Sequence, residues 1–280
     1  MIEVDSPRCQ LHSDLASVSS GQRLLKLGAA LRQRVRLRSR LHALLNPPRG
    51  STPHLGEASR FAAGSWVRVR EPAAIWSTLD AAQRSRGLLW MTQQWPYCGT
   101  VHRVFGPVQR MMDDARKLRP ISRTVLLDTV PCSGPRQTHG CGRDCPTMFR
   151  DEWLEEAPPP AQVTGIPGPP ARMATVRGVG EILSTLDARG CCDGLLFMPE
   201  MARYTGLRFP VRHRIEQVPE GAGRVPASIP VYLLEGLHCN GEIFGADGPC
   251  QRGCRLLWHS DWLRFDDLLA SDHADAEHGS

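Results

Sequence analysis

Cys239-Asn240-Gly241-Glu242-Ile243-Phe244-Gly245-Ala246-Asp247-Gly248-Pro249-Cys250-Gln251-Arg252-Gly253-Cys254 is a turn-rich loop holding three cysteines at C-x10-C-x3-C. Leu256, Leu257, Trp258, Trp262 and Leu263 follow it as an aromatic, apolar exit. The same design stands earlier in the chain, where Cys132, Cys141 and Cys145 precede Met148, Phe149, Trp153 and Leu154, with His139 between the first two cysteines. Two thiol-rich loops of one design predict a duplicated unit.

Working outward, the duplication extends well beyond the cysteines. Ile75-Trp76-Ser77-Thr78-Leu79-Asp80 matches Ile182-Leu183-Ser184-Thr185-Leu186-Asp187, and Gly87-Leu88-Leu89-Trp90-Met91 matches Gly194-Leu195-Leu196-Phe197-Met198. Val125-Leu126-Leu127-Asp128 matches Tyr232-Leu233-Leu234-Glu235, and Cys132-Ser133-Gly134 matches Cys239-Asn240-Gly241, all at one offset of 107. The second and third cysteines follow at 109, after two inserted residues. The expected organisation is a basic segment over 1–63, a cysteine-rich repeat over 64–156, a Pro/Gly-rich linker over 157–170, a second repeat over 171–269 and an acidic tail over 270–280. The linker composition reads as a semi-rigid spacer.

Within each repeat the pattern predicts an opening strand (Trp66 to Arg70), a short helix (Pro72 to Leu79), and a second short helix ending near Tyr97 or Tyr204. Strands follow near His102–Phe105 and Thr124–Val130. After the last cysteine, Phe149/Trp153 and Trp258/Trp262 stand four apart, which favours a helix over a closing strand. The fold expected is therefore α+β: tandem small metal-stapled domains with short curled sheets. A unit of this size buries a modest core, and a metal would help to hold it.

Ahead of the repeats, Leu24, Leu27, Leu31 and Val35 form a helical stripe, with Leu41 and Leu45 continuing it. Between Gly21 and Gly50 lie eight Lys or Arg residues and no acid. A basic helix over 21–46 is expected, to be weighed as a solvated face of its own domain or as contact for an anionic partner, whether nucleic acid or an acidic protein surface. The net charge of +5 adds little to that choice, since Lys26 and Lys117 are the only lysines and the arginine excess has a compositional explanation.

No apolar run approaches the ~20 residues that cross a bilayer. Met1-Ile2-Glu3-Val4-Asp5 lacks the basic and apolar regions of a secretory leader, so a cytoplasmic location is expected. In a reducing compartment ten cysteines read as metal ligands or redox groups before disulfides.

Zinc is the expected cofactor, ahead of iron or an iron–sulfur cluster, because thiolate with imidazole is its usual ligand set. Cys132, His139, Cys141 and Cys145 offer four ligands in the first repeat. Cys239, Cys250 and Cys254 offer three in the second, and Asp247, His238, Cys191, Cys192 or water are the candidates for the fourth. Neither repeat carries the C-x3-C-x2-C run of radical chemistry. The chain also shows no phosphate-binding loop, dinucleotide fingerprint, nucleophile elbow or HExxH.

Gly-Leu-Leu-Phe-Met-Pro-Glu-Met (194–201), Leu-Glu-Gly-Leu-His-Cys-Asn-Gly (234–241) and Cys-x3-Cys (250–254) before Trp-x3-Trp-Leu resemble a group of uncharacterised bacterial proteins that carry this unit once or twice. Those proteins commonly place a histidine just before the Cys-x3-Cys pair, where the second repeat has Asp247. They can also show a further cysteine in the stretch where the first repeat has Met111 and Met112. The resemblance implies the unit and no activity. Two functions are compatible with these residues: a non-catalytic, zinc-holding binding or adaptor module, and a metalloenzyme or accessory biosynthetic protein with an open metal position in the second repeat.

Overall fold

The computed structural model describes residues 9–10, 55–113, 117–132, 142–160, 172–220, 223–243 and 249–266. The first unit runs β1 (Trp66–Val69), α1 (Pro72–Trp76), β2 (Arg84–Ser85), β3 (Leu88–Leu89), β4 (Val101–Met112), β5 (Leu118–Pro131), β6 (Pro146–Arg150) and β7 (Leu154–Glu156). The second runs β8 (Met173–Val176), α2 (Val179–Leu183), β9 (Cys191–Cys192), β10 (Leu195–Leu196), β11 (Arg208–Arg214), a hairpin of β12 (Gln217–Glu220) and β13 (Gly223–Pro226), β14 (Val231–His238), β15 (Arg255–His259) and β16 (Leu263–Phe265). Each unit centres on a five-stranded antiparallel sheet, ordered β6-β5-β4-β1-β7 in one and β15-β14-β11-β8-β16 in the other.

Hydrogen bonds repeat between the units at the sequence offsets. Gly99 N–H donates to Val69 O and Gly206 N–H to Val176 O, each at 2.8 Å. Arg70 N–H donates to Trp153 O at 2.9 Å, and Arg177 N–H to Trp262 O at 2.8 Å. Alternation explains the strands: Val67 and Val69 are fully buried while Arg68 points out. Two apolar cores result. Ile75, Trp90, Phe149 and Trp153 lead the first, with Trp90 edge-on to Trp153 at 5.0 Å. Ile182, Phe197, Trp258 and Trp262 lead the second, with Phe197 edge-on to Trp262 at 5.2 Å.

The α+β expectation is overturned: the fold is mainly antiparallel β, and among the described residues the two α-helices have five residues each. The segment after the cysteines is not helical either. It forms a strand, a 3-10 turn (Asp151–Trp153 and Ser260–Trp262) and another strand. Phe149 and Trp153 both reach the core because a turn separates them, and β6 is buried along most of its length rather than on one stripe. That pattern marks a strand covered on both faces. The picture of small metal-stapled domains fails as well, because each unit packs around its own apolar core and the cysteine loops lie at the edge, against the other unit. The basic segment expected to be helical over 21–46 lies outside the described residues.

The units exchange contacts through those loops. Gln251 N–H donates to Arg110 O at 3.0 Å, and Gln251 Oε1 accepts from Gln109 N–H at 2.7 Å. Reciprocally, the ring Nε2 of His213 stands 2.9 Å from Gly142 O, and Arg212 donates to Asp144 Oδ2 at 2.7 Å. Gly142 and Gln251 are related by 109, as are Asp144 and Gly253, so the two exchanges are near-equivalent. Among the described residues, no helix is long and apolar enough to cross a membrane.

Candidate functional site: a thiol-lined cavity between the units

Strand β14 ends at His238 and delivers Cys239 to the unit boundary, where its N–H donates to Cys254 O at 2.7 Å. Cys132 makes the matching bond to Cys145 O at 2.6 Å. Each bond pinches the neck of its loop, so first and last cysteines sit side by side. Gly241 lets the second loop close, because at φ +74° its Cα lies so near Cys250 that an added Cβ would stand 2.1 Å from the Cys250 carbonyl oxygen.

Cys239, Cys250 and Cys254 line a mostly enclosed cavity of about 20 Å³. Cys145 of the first unit joins them there, with Cys9 from the N-terminal segment. Space of this size admits one small ion or one water. Gln10, 3% exposed, ties the segment down. Its amide donates to Leu196 O and Leu257 O at 2.8 and 2.9 Å and accepts from Leu257 N–H at 2.8 Å. Arg143, Arg252 and Arg255 also line the cavity.

Backbone donors reach two of the sulfurs. Gly241 N–H points at Cys239 Sγ at 3.3 Å, and Met112 N–H of the first unit at Cys250 Sγ, also at 3.3 Å. The thiols of Cys145 and Cys254 share a hydrogen bond. That bond, more than nearby Arg252 and Arg143, draws Cys145 down to about 6, while the same bond and burial hold Cys254 well above its ordinary value. Burial, reinforced by the Glu200 carboxylate, pushes the Cys239 thiol up strongly. Cys145 and Cys254 thus favour one shared negative charge, carried on the Cys145 side of their hydrogen bond. No disulfide joins the described cysteines.

The expected ligands fall as follows. Cys239, Cys250, Cys254 and Cys145 meet at the cavity. The Cys132 sulfur accepts from Gln93 Nε2 at 3.4 Å and does not line the cavity. His139, Cys141 and Asp247 lie outside the described residues. His238 turns away, its ring 4.6 Å from Phe105, and Cys191 and Cys192 belong to β9, away from the cavity lining. Of the cavity's cysteines, Cys9 alone lies outside the expected ligand set, and Cys145 joins the other unit's thiols rather than its own loop's. Cys9 has no spacing partner to flag it, and Cys145 reads by spacing as a ligand of its own loop. Among the described residues, only Cys192, Asp193 and His259 bring three potential ligand atoms within 4.8 Å of one another, so the cavity thiols stand wider apart than a closed zinc tetrahedron. Compared with known proteins, the chain matches no family model, no curated sequence and no solved structure.

Proposed function

We propose that the chain is a metal-holding binding module whose two β units are joined through one shared centre, with Cys145, Cys239, Cys250 and Cys254 as thiolate ligands for zinc. The observation that carries the reading is the convergence of thiols from both units on one ion-sized cavity. Its surroundings suit a charged centre. A zinc ion with four thiolates has a net charge of about −2, and Arg143, Arg252 and Arg255 offset it. The N–H groups of Gly241 and Met112 supply the outer-sphere donors that thiolate centres use. Entry of the ion draws the thiols inward to the ~3.8 Å separations set by Zn–S bonds of about 2.3 Å. Four thiolates leave no open position, so the centre is structural and locks the units together. The contact with a partner then falls to other surfaces. The arginine-rich stretch 21–46 suits an anionic one, whose binding should weaken steeply with salt.

Metal analysis of Cys145→Ser, Cys250→Ser and the double variant tests the shared centre. One centre requires each single variant to lose the same equivalent and the double to lose no more. Additive losses, one from each unit, overturn the reading.

A further inference from the structure

The positions related by the two offsets carry opposite chemistry at one place in the fold. In the first unit, Arg150 is 4% exposed and its guanidinium donates to Ser85 O at 3.2 Å, Arg86 O at 2.6 Å and Thr124 Oγ1 at 3.1 Å, and also to Ser122 O. Glu152 completes this network by accepting from the Ser85 hydroxyl and facing Arg86 at 3.7 Å. A buried cation is thereby solvated by protein oxygens.

In the second unit Arg150 becomes His259, Ser85 becomes Cys192, Arg86 becomes Asp193 and Glu152 becomes Asp261. The oxygen donors Ser122 and Thr124 become Ile229 and Val231, both buried. The guanidinium and its cradle are gone together, and a thiol, an imidazole and two carboxylates stand in their place. The His259 ring is 2% exposed. Its Nδ1 accepts from Asp261 N–H at 3.2 Å and lies 3.6 Å from Cys192 Sγ. Its Nε2 is buried without a hydrogen bond, 3.4 Å from Asp193 Oδ2. A buried imidazole nitrogen left so is costly, and it is aimed at the group.

We propose that Cys192, Asp193 and His259 form a divalent-metal site of the zinc class, present only in the second unit and separate from the thiol-lined cavity. One ligand atom from each already lies within 4.8 Å of the others. The edges of a tetrahedral zinc site with one sulfur, one nitrogen and one oxygen are about 3.3 to 3.5 Å, so the group has to close from within 4.8 Å, with His259 Nε2 and Asp193 Oδ2 already at 3.4 Å. Asp193 supplies the movement: it sits with Gly194 in a two-residue turn with both φ positive, and its side chain is 66% exposed. Sulfur and imidazole ligands select against magnesium and calcium, and the carboxylate selects against purely thiophilic ions. Three protein ligands leave a fourth position at the exposed Asp193 side, open to water or a small ligand. The alternative use of a thiol beside an imidazole, as a nucleophile, is disfavoured because Asp193 and Asp261 crowd the pair with negative charge that a cation would relieve.

The test loads metal-free full chain with cobalt(II), whose thiolate and ligand-field absorption report coordination, in a Cys250→Ser background that removes a ligand of the cavity. Cobalt should bind with one thiolate in its shell. Cys192→Ser should abolish that absorption, and Asp193→Asn, an exposed turn substitution that leaves the core untouched, should weaken binding about tenfold or more. An unchanged spectrum and affinity in both variants overturns the proposal. So does a Cys192 that reacts rapidly with iodoacetamide in metal-free protein while cobalt binds no differently in its variants. Because the cavity is already disabled, failure here leaves the shared-centre reading standing, and the converse holds.

Discussion

Thr78 and Thr185 each receive a hydrogen bond from the indole of a fully buried tryptophan, Trp153 at 2.9 Å and Trp262 at 3.0 Å. Each threonine hydroxyl in turn donates to the carbonyl three residues back, at 2.7 Å. The acceptor is therefore oriented, and its loss leaves a buried N–H unpaired. Thr78→Val and Thr185→Val should each cost about 1–3 kcal/mol, in equal measure, in urea unfolding. A cost confined to one of them would contradict the equivalence of the two environments. His102 is a residue where the units differ, since Phe209 occupies its place in the second. Thr100 Oγ1 donates to Tyr97 O at 2.5 Å, so it must accept from His102 Nε2–H at 2.6 Å, and Nδ1 accepts from the Thr129 hydroxyl at 2.6 Å. Burial pushes the His102 pKa below its ordinary value of 6.5. The unfolded chain then binds a proton that the folded chain refuses, so stability is full above about pH 6.5 and falls as the pH drops toward the lower folded pKa. His102→Phe should remove that part of the acid loss. Unfolding at pH 8 and at pH 5.5 checks it, and an identical pH slope in wild type and variant would sink the assignment.

At the level of elements, the cysteine loops depend on backbone approaches that a side chain cannot share. Gly241→Ala would force a Cβ into the Cys250 carbonyl at positive φ, strain of about 1–3 kcal/mol for the φ alone. It should open the second loop and weaken metal retention against a chelator, while the equivalent measurement on Gly236→Ala, which meets nothing within 4 Å, reports the cost of positive φ by itself. Equal metal retention in the two variants would contradict the loop's role. Much of the local architecture was legible beforehand. Alternation at Trp66-Val67-Arg68-Val69 marks β1, Pro72 marks the start of α1, and the offset of 107 pairs hydrogen bonds such as those of Gly99 and Gly206. The class was misjudged because Phe149/Trp153 and Trp258/Trp262 imitate helical spacing when a 3-10 turn joins two strands. The lengths of β4 and β5 were hidden too, because the strands run on through Arg110–Met112 and Leu118–Pro120, beyond the short apolar runs first read as strands. The partnership of Cys145 with the second loop depends on how two sheets dock, and no local pattern encodes that. The Cys192–Asp193–His259 group was readable only by aligning Ser85, Arg86 and Arg150 with it.

For the whole molecule, two sheets of one strand order present their loops to each other, and the cross-unit bonds of Gln251, Arg252, Arg212 and His213 set the thiols in register. Salt bridges such as Arg212 with Asp144 are partly exposed and contribute modestly. The apolar contact between Gly253 and Leu126 and Phe105 is closer, an added Cβ falling 2.8 Å from the Leu126 side chain. A shared metal would make these contacts obligatory, because binding free energy at a centre built from both units becomes free energy of docking them. The decisive measurement is mass mapping of cysteine alkylation in the full chain before and after chelation. The shared centre predicts that Cys145, Cys239, Cys250 and Cys254 are protected together, lose protection in one phase with chelator, and that Cys250→Ser exposes Cys145. Protection of Cys145 that survives Cys250→Ser, or that tracks Cys132 instead, would contradict it.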